Sequence, residues 1–183
     1  AQDVAFEIRP WRGPQAVTVE EYCAMATDKT GALLGCAAAI GALLGSAPPP
    51  VGAAMRRMGR HLGLAFQAID DVLGIWGDPA VTGKPIWSDL RQGKKTLPVV
   101  AALRTGTESA RQLADLLEER RRDEDSLRRT ADLIDEAGGL AFTRRQADRH
   151  LDQALQIIGS AELDRTAAGR LSTLARFMVQ RTR

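Results

Sequence analysis

Cysteine is nearly absent from this chain, and so are histidine, lysine and aromatic residues. Its two cysteines, Cys23 and Cys36, stand thirteen residues apart in what reads as one helix, too far to bridge each other. That argues against a disulfide framework and a cysteine-based metal site. His61 falls on an apolar helical stretch and His150 on a charged one, with no convergent ligand spacing, so both read as structural. Aromatics are only 4% and β-branched runs are scarce, which argues against strands. Charge of one sign is lacking too. Twenty-five Lys and Arg against 23 Asp and Glu leave +2, too little for a protein that binds nucleic acid through phosphate neutralisation. The longest uncharged stretch, Thr30 to Met55, is interrupted by recurring glycines and by Pro48-Pro49-Pro50, so no stable membrane span is expected. No initiator Met or signal-peptide pattern opens the chain, and Ala1 to Glu7 reads as the middle of a helix, the pattern of a piece of a longer protein. Unpaired cysteines and the lack of an apolar span point to the cytoplasm.

What is present is helix-forming. Ala, Leu, Arg and Glu dominate 183 residues that are 44% hydrophobic and 26% charged, so residues 1–183 are expected to form a single all-α unit. Thr18-Val19-Glu20-Glu21 has capping-box spacing and predicts a helix from about Val19 to about Leu44. Between Gly31 and Gly45 that helix carries no charge on any face, which predicts a central position surrounded by neighbours, with Cys36 and Ala38 buried. The three prolines break it. A second helix runs from about Val51 to Trp76, and from Gly77 to Pro98 a glycine- and proline-rich loop is expected to hold at most one helical turn. Thr96 to Leu103 reads as a short helix, and Thr105 to Glu108 as the cap of the next. Later apolar faces are expected at Leu127, Ala131, Ile134 and Ala137, then at Ala147, Leu151, Ala154, Leu155 and Ile158, then at Leu163, Ala167, Leu171, Leu174 and Met178. The charge run Glu118 to Arg122 reads as a solvated helix face. Trp11 is expected to anchor a connection between helices.

One constellation carries chemistry: Phe66-Gln67 with Asp70-Asp71, then Gly77-Asp78-Pro79, Thr82-Gly83-Lys84, Ser88-Asp89-Leu90 and Gly93-Lys94-Lys95-Thr96. Gln67, Asp70 and Asp71 fall at helical spacing on one face, so both carboxylates are expected to look into one space. Hard oxygen ligands of this kind suit Mg²⁺, which keeps several waters and commonly bridges carboxylates to phosphates. Three of the four lysines, Lys84, Lys94 and Lys95, lie in the loop beyond, and the fourth is Lys29. A compact, flexible ammonium suits a phosphate.

This assembly resembles the second aspartate-rich region of the trans-isoprenyl diphosphate synthases, also called polyprenyl synthetases, which include farnesyl and geranylgeranyl diphosphate synthases. Phe66-Gln67, Asp70-Asp71, Gly77-Asp78-Pro79, Thr82-Gly83-Lys84, Asp89-Leu90 and Gly93-Lys94-Lys95-Thr96-Leu97-Pro98 match the family's pattern, and Lys29-Thr30 resembles its Lys-Thr helix. Asp3 corresponds to the acid of a Gln-x-x-Asp element. The resemblance implies an isoprenoid-synthase-type helical bundle, of which this chain is the C-terminal portion. It implies Mg²⁺ bound by Asp70 and Asp71, with Asp89 close behind. Lys29, Gln67, Lys84 and Lys94 would hold an allylic diphosphate, and Lys29, Thr30 and Lys84 would act in catalysis. Isopentenyl diphosphate would be the second substrate and a homodimer the assembly. Gly74 departs from the pattern at the last position of Asp-Asp-x-x-Asp, so that carboxylate is missing. The family's first aspartate-rich motif is not in this chain. A terpene cyclase on the same fold, a non-catalytic subunit of a prenyl synthase and a plain helical interaction module are the rival readings.

Overall fold

A computed structural model describes residues 6–180, so Asp3 lies outside the described residues. Among them there are helices and no strand. In chain order these are α1 (Val19–Ala26), a π turn (Thr27–Gly31), α2 (Ala32–Leu44), α3 (Pro49–Trp76), α4 (Pro79–Thr82), α5 (Ser88–Arg91) and α6 (Leu97–Leu103). Then follow α7 (Glu108–Glu119), α8 (Glu124–Glu136), α9 (Gly139–Ser160) and α10 (Arg165–Val179). No described helix is long and apolar enough to cross a membrane. The described chain divides into two compact units, one of residues 6–22 and 70–144 and the other of residues 23–69 and 145–180.

In the first unit, capping side chains start the helices, α1 at the box the sequence shows and α7 at Thr107 rather than at Thr105. Thr18 and Glu21 close the capping box in both directions, Glu21 N–H to Thr18 Oγ1 at 3.1 Å and Thr18 N–H to Glu21 Oε2 at 2.9 Å. Thr107 caps α7 by accepting from Ala110 N–H, and Asp123 caps α8 by accepting from Ser126 N–H. Helix α6 is buried from Leu97 to Ala102 and packs on both α7 and α8, which also pack on each other. Ile75, Leu90, Val99, Leu113, Leu127 and Ile134 form the centre of that core, and Trp11, Trp76 and Trp87 close over it. Burying each such aliphatic side chain stabilises the unit by roughly 1.5–3 kcal/mol before chain entropy is counted. The loop before α6 holds two short helices, α4 and α5, where one turn was expected.

In the second unit, glycines set the packing. A Cβ on Gly63 would lie 2.5 Å from Gly31 Cα, and one on Gly59 would lie 2.7 Å from Gly35 Cα. Backbones that approach this closely require residues without a side chain, so Gly31-x-x-x-Gly35, from the π turn into α2, and Gly59-x-x-x-Gly63 on α3 form one seam. Helices α3 and α9 meet through His61 and His150, whose Nδ1 atoms are 3.1 Å apart with the rings stacked at 28°. One imidazole donates and the other accepts, so at least one of them is neutral.

Three expectations are corrected here. Helix α2 is not surrounded: Gly35 is its buried residue, whereas Leu33, Leu43 and Leu44 are 71–80% exposed. Cys36 is correspondingly an exposed free thiol. On α10 the buried positions are Ala175 and Val179, while Leu174 is half exposed, so that helix is rotated from the face its leucines suggested. Small residues win there because α10 buries only a narrow stripe.

Candidate diphosphate and metal site

In the second unit, Lys29 and Thr30 sit on the π turn. Such a turn inserts one residue into the helical register and re-aims the side chains beyond it, which is common at functional sites. Thr30 Oγ1 donates to Gln67 Oε1 at 3.0 Å, an approach that the glycine seam permits. Lys29 is exposed and has no hydrogen-bond or ion-pair partner among the described residues.

In the first unit, the two adjacent aspartates part ways, against the expectation that both look into one space. Asp71 is 4% exposed, and its Oδ2 accepts from Tyr22 Oη at 2.5 Å and from Leu97 N–H at 2.7 Å. It therefore caps α6 and ties α1 to it, satisfying an amide that Thr96 leaves unbonded from the N-cap position. The Thr96 hydroxyl is itself buried with no partner among the described residues. Asp70 is half-buried and its side chain has no partner among the described residues. An accessible, unpaired carboxylate of this kind fits a hydrated hard cation, whereas Asp71 has structural work. No group of three or more His, Cys, Asp or Glu able to hold a metal occurs among the described residues.

Around Gly74 the structure gives a reason for the departure from Asp-Asp-x-x-Asp. A Cβ there would come within 2.5 Å of Asp89 Cγ and closer still to Oδ2, so the Asp89 carboxylate fills the space a side chain at 74 would take. Asp89 is 5% exposed, and Lys94 Nζ donates to its Oδ1 at 2.6 Å. Lys94 N–H also donates to Asp89 O at 3.0 Å, and Gly93 takes the left-handed conformation (φ +68°) that lets the loop close. Lys84 follows Gly83, another left-handed glycine (φ +67°), at the end of α4, whose start Asp78 caps by accepting from Ala80 N–H. Lys84 is exposed.

The structure thus pairs Thr30 with Gln67 and Asp89 with Lys94, removes Asp71 to the interior, and leaves the side chains of Lys29, Lys84 and Asp70 without partners among the described residues. Sequence reading missed Tyr22 and the glycine seam. The seam was visible in the spacing at 31/35 and 59/63, whereas nothing in the sequence connects Tyr22 to a carboxylate 49 residues away.

The chain is 40% identical over 99% of its length to a (2E,6E)-farnesyl diphosphate synthase of Mycobacterium bovis, covering 50% of that protein. It is 45% identical over 85% of its length to a geranylgeranyl diphosphate synthase of Mycobacterium tuberculosis, covering 45% of it. Among solved structures, a polyprenyl synthetase of Streptomyces coelicolor superposes with a TM-score of 0.89 at 43% identity, over 97% of this chain and 53% of that one. A Corynebacterium glutamicum geranylgeranyl pyrophosphate synthase complexed with calcium and isoprenyl diphosphate gives 0.80 at 30% identity, over 98% and 56%. The chain spans about half the length of the curated relatives it matches. The sequence pattern that defines the polyprenyl synthetases matches residues 3–134, and this chain belongs to that family.

Proposed function

We propose that the whole protein containing this chain is a Mg²⁺-dependent prenyltransferase that condenses isopentenyl diphosphate with an allylic diphosphate to give a longer polyprenyl diphosphate. The observation that supports this reading lies in the first unit, where the side chains of Asp70 and Lys84 have no partner among the described residues and Lys94 is held by Asp89 at 2.6 Å. Lys29 and Lys84 donate to the diphosphate oxygens of the allylic substrate and stabilise the charge that grows on them as the carbon–oxygen bond breaks. Gln67, fixed by Thr30, and Lys94, fixed by Asp89, orient the same group. Asp70 would hold Mg²⁺ with Asp89 behind it, and the ion when bound neutralises the departing pyrophosphate. Asp71 supports Asp70 from within rather than as a ligand.

The double bond of isopentenyl diphosphate attacks the allylic cation, and loss of a proton restores a double bond in the product. No side-chain nucleophile takes part. A cation of this kind needs an apolar, water-free wall, which the leucines of α2 would supply once the remainder of the fold covers them. The reading places the protein in the cytoplasm as a homodimer, with this chain as the C-terminal part of one polyprenyl synthetase domain. It is tested on the whole protein with Mg²⁺ and farnesyl diphosphate, with and without isopentenyl diphosphate, by mass spectrometry of the products. A longer prenyl diphosphate that requires both substrates is expected. A hydrocarbon or alcohol from farnesyl diphosphate alone would replace elongation with cyclisation, and no product in either case would point to a non-catalytic subunit.

A further inference from the structure

The charge run Glu118 to Arg122, expected as a solvated helix face, is exposed from Glu118 to Arg121, but the helix ends at Glu119, and Glu118, Arg120 and Arg122 line a cavity of about 450 Å³ within the first unit. Residues 7–11 and the Gly93-to-Lys95 segment form the rest of that wall. Four cations line it, Arg9, Lys95, Arg120 and Arg122, against two carboxylates, Glu7 and Glu118.

The acids are already engaged. Glu7 Oε2 accepts the Lys95 backbone N–H at 3.0 Å, and Glu118 Oε2 is held by Arg12 at 2.6 Å. Arg9 is engaged as well, donating to Gln15 O, Ala16 O and Glu21 Oε1. The other three cations face only the charge of Glu7, which a bond to an amide does not neutralise, so two positive charges are left over. Lys95 is 4% exposed, and its Nζ donates to Glu7 O at 2.7 Å and lies 4.0 Å above the Trp11 ring, so its position is fixed by a neutral carbonyl and an aromatic face. The Arg120 guanidinium has no partner among the described residues, and Arg122 donates only to the Arg121 carbonyl. Burial, together with Arg120 and Arg9, pulls the Lys95 ammonium below its ordinary range despite Glu7, and burial together with Arg120 does the same to Arg122.

Backbone conformation adds an independent sign. Arg120 occupies the left-handed region (φ +54°), where glycine is at ease and an arginine is strained. Strain and like-charge repulsion are thus spent together to bring guanidinium groups to one cavity. Two guanidinium forks and an ammonium match a tetrahedral oxyanion with several acceptor oxygens better than they match a carboxylate.

We propose that this cavity is a binding site for a phosphate-type dianion, held by Lys95, Arg120 and Arg122, either inorganic phosphate or the phosphate of a monoester. The whole protein is titrated calorimetrically with sodium phosphate in EDTA at constant ionic strength, and separately with glycerol 3-phosphate. Saturable phosphate binding is expected in the wild type and in Lys84→Ala, weakened by ~10-fold or more in the Arg120→Ala/Arg122→Ala double variant. Tighter binding of glycerol 3-phosphate assigns the site to a monoester, and binding of phosphate alone to the free ion. Absence of saturable binding to the wild type overturns the proposal, as does loss in Lys84→Ala with retention in the double variant. Arg120→Gly provides a second measurement that does not depend on a loss of function. It should raise Tm in phosphate-free buffer by relieving the left-handed strain, and gain less from added phosphate than the wild type does. An equal gain in both proteins would refute the role of Arg120.

Discussion

Gly74→Ala tests the packing of the site directly. In an unencumbered helix interior this change stabilises by about 1 kcal/mol through backbone propensity alone. At position 74 the new methyl would meet Asp89 Cγ at 2.5 Å and Oδ2 closer still, well inside the ~3.5 Å that unbonded heavy atoms keep. The carboxylate must swing away, giving up its 2.6 Å bond to Lys94 Nζ inside a site where Asp89 is 5% exposed. Overpacking costs about 1–3 kcal/mol and loss of a charge-assisted hydrogen bond about 1.5–3 kcal/mol. Because Lys94 is itself 43% exposed, the lower part of that second range applies, and the net expectation is a destabilisation of roughly 2–3 kcal/mol. Gly52→Ala is the matched control. It lies on the same helix with open space around its Cβ, and should be neutral to stabilising by about 1 kcal/mol. Equilibrium urea unfolding of the whole protein, with the midpoint compared at constant m, reads both. If Gly74→Ala is as stable as Gly52→Ala, Asp89 does not occupy that space and the explanation of the missing carboxylate fails. Gly74→Asp, which restores the family's motif, should likewise destabilise rather than tighten metal binding.

Other expectations follow from the same geometry. Gly63→Ala drives a methyl to 2.5 Å from Gly31 Cα, where backbone rather than a flexible side chain must yield, so it should cost about 3 kcal/mol or more and lower both Tm and turnover. Tyr22→Phe removes one donor from buried Asp71 and should cost about 1.5–3 kcal/mol in a urea titration, with Mg²⁺ affinity largely kept. Burial holds the His61 imidazole below its ordinary range, and burial together with His61 and Arg149 does the same to His150. The unfolded chain therefore takes up protons first, and stability should fall as pH drops below about 6.5, a slope that His61→Gln/His150→Gln flattens. Asp70→Asn and Lys84→Ala, at positions without partners among the described residues, should reduce kcat of the whole enzyme by ~10²-fold or more while leaving Tm within a degree or two.

Much of this was legible in the sequence because it is local. The capping box announces the helix start at Thr18 through contacts three residues away, and the motif from Phe66 to Pro98 is recognised by its spacing. What was not legible depends on contacts between distant residues. The direction of Asp71 is decided by Tyr22 and Leu97, which lie 49 and 26 residues away, and adjacent aspartates on a helix point about 100° apart in any case. A π turn leaves no mark in composition, since it shifts the register by one residue without changing what the residues are. An uncharged helix such as α2 says that every face can be covered but not by which chain segment, and here its leucines are exposed. The run from Glu118 to Arg122 looked helical throughout until Arg120 turned left-handed and redirected it.

The chain passes from one compact unit to the other at residues 22/23, 69/70 and 144/145, and each of those points falls inside a helix, α1, α3 or α9. Exposed loops are where a protease cuts, and no loop here coincides with a boundary. Limited digestion would therefore never release either unit intact: a nick between α2 and α3 or between α8 and α9 leaves fragments that each carry parts of both. Neither unit can be inherited, lost or exchanged as a cassette, and any engineered recombination at those loops would have to carry both halves of each broken core along together.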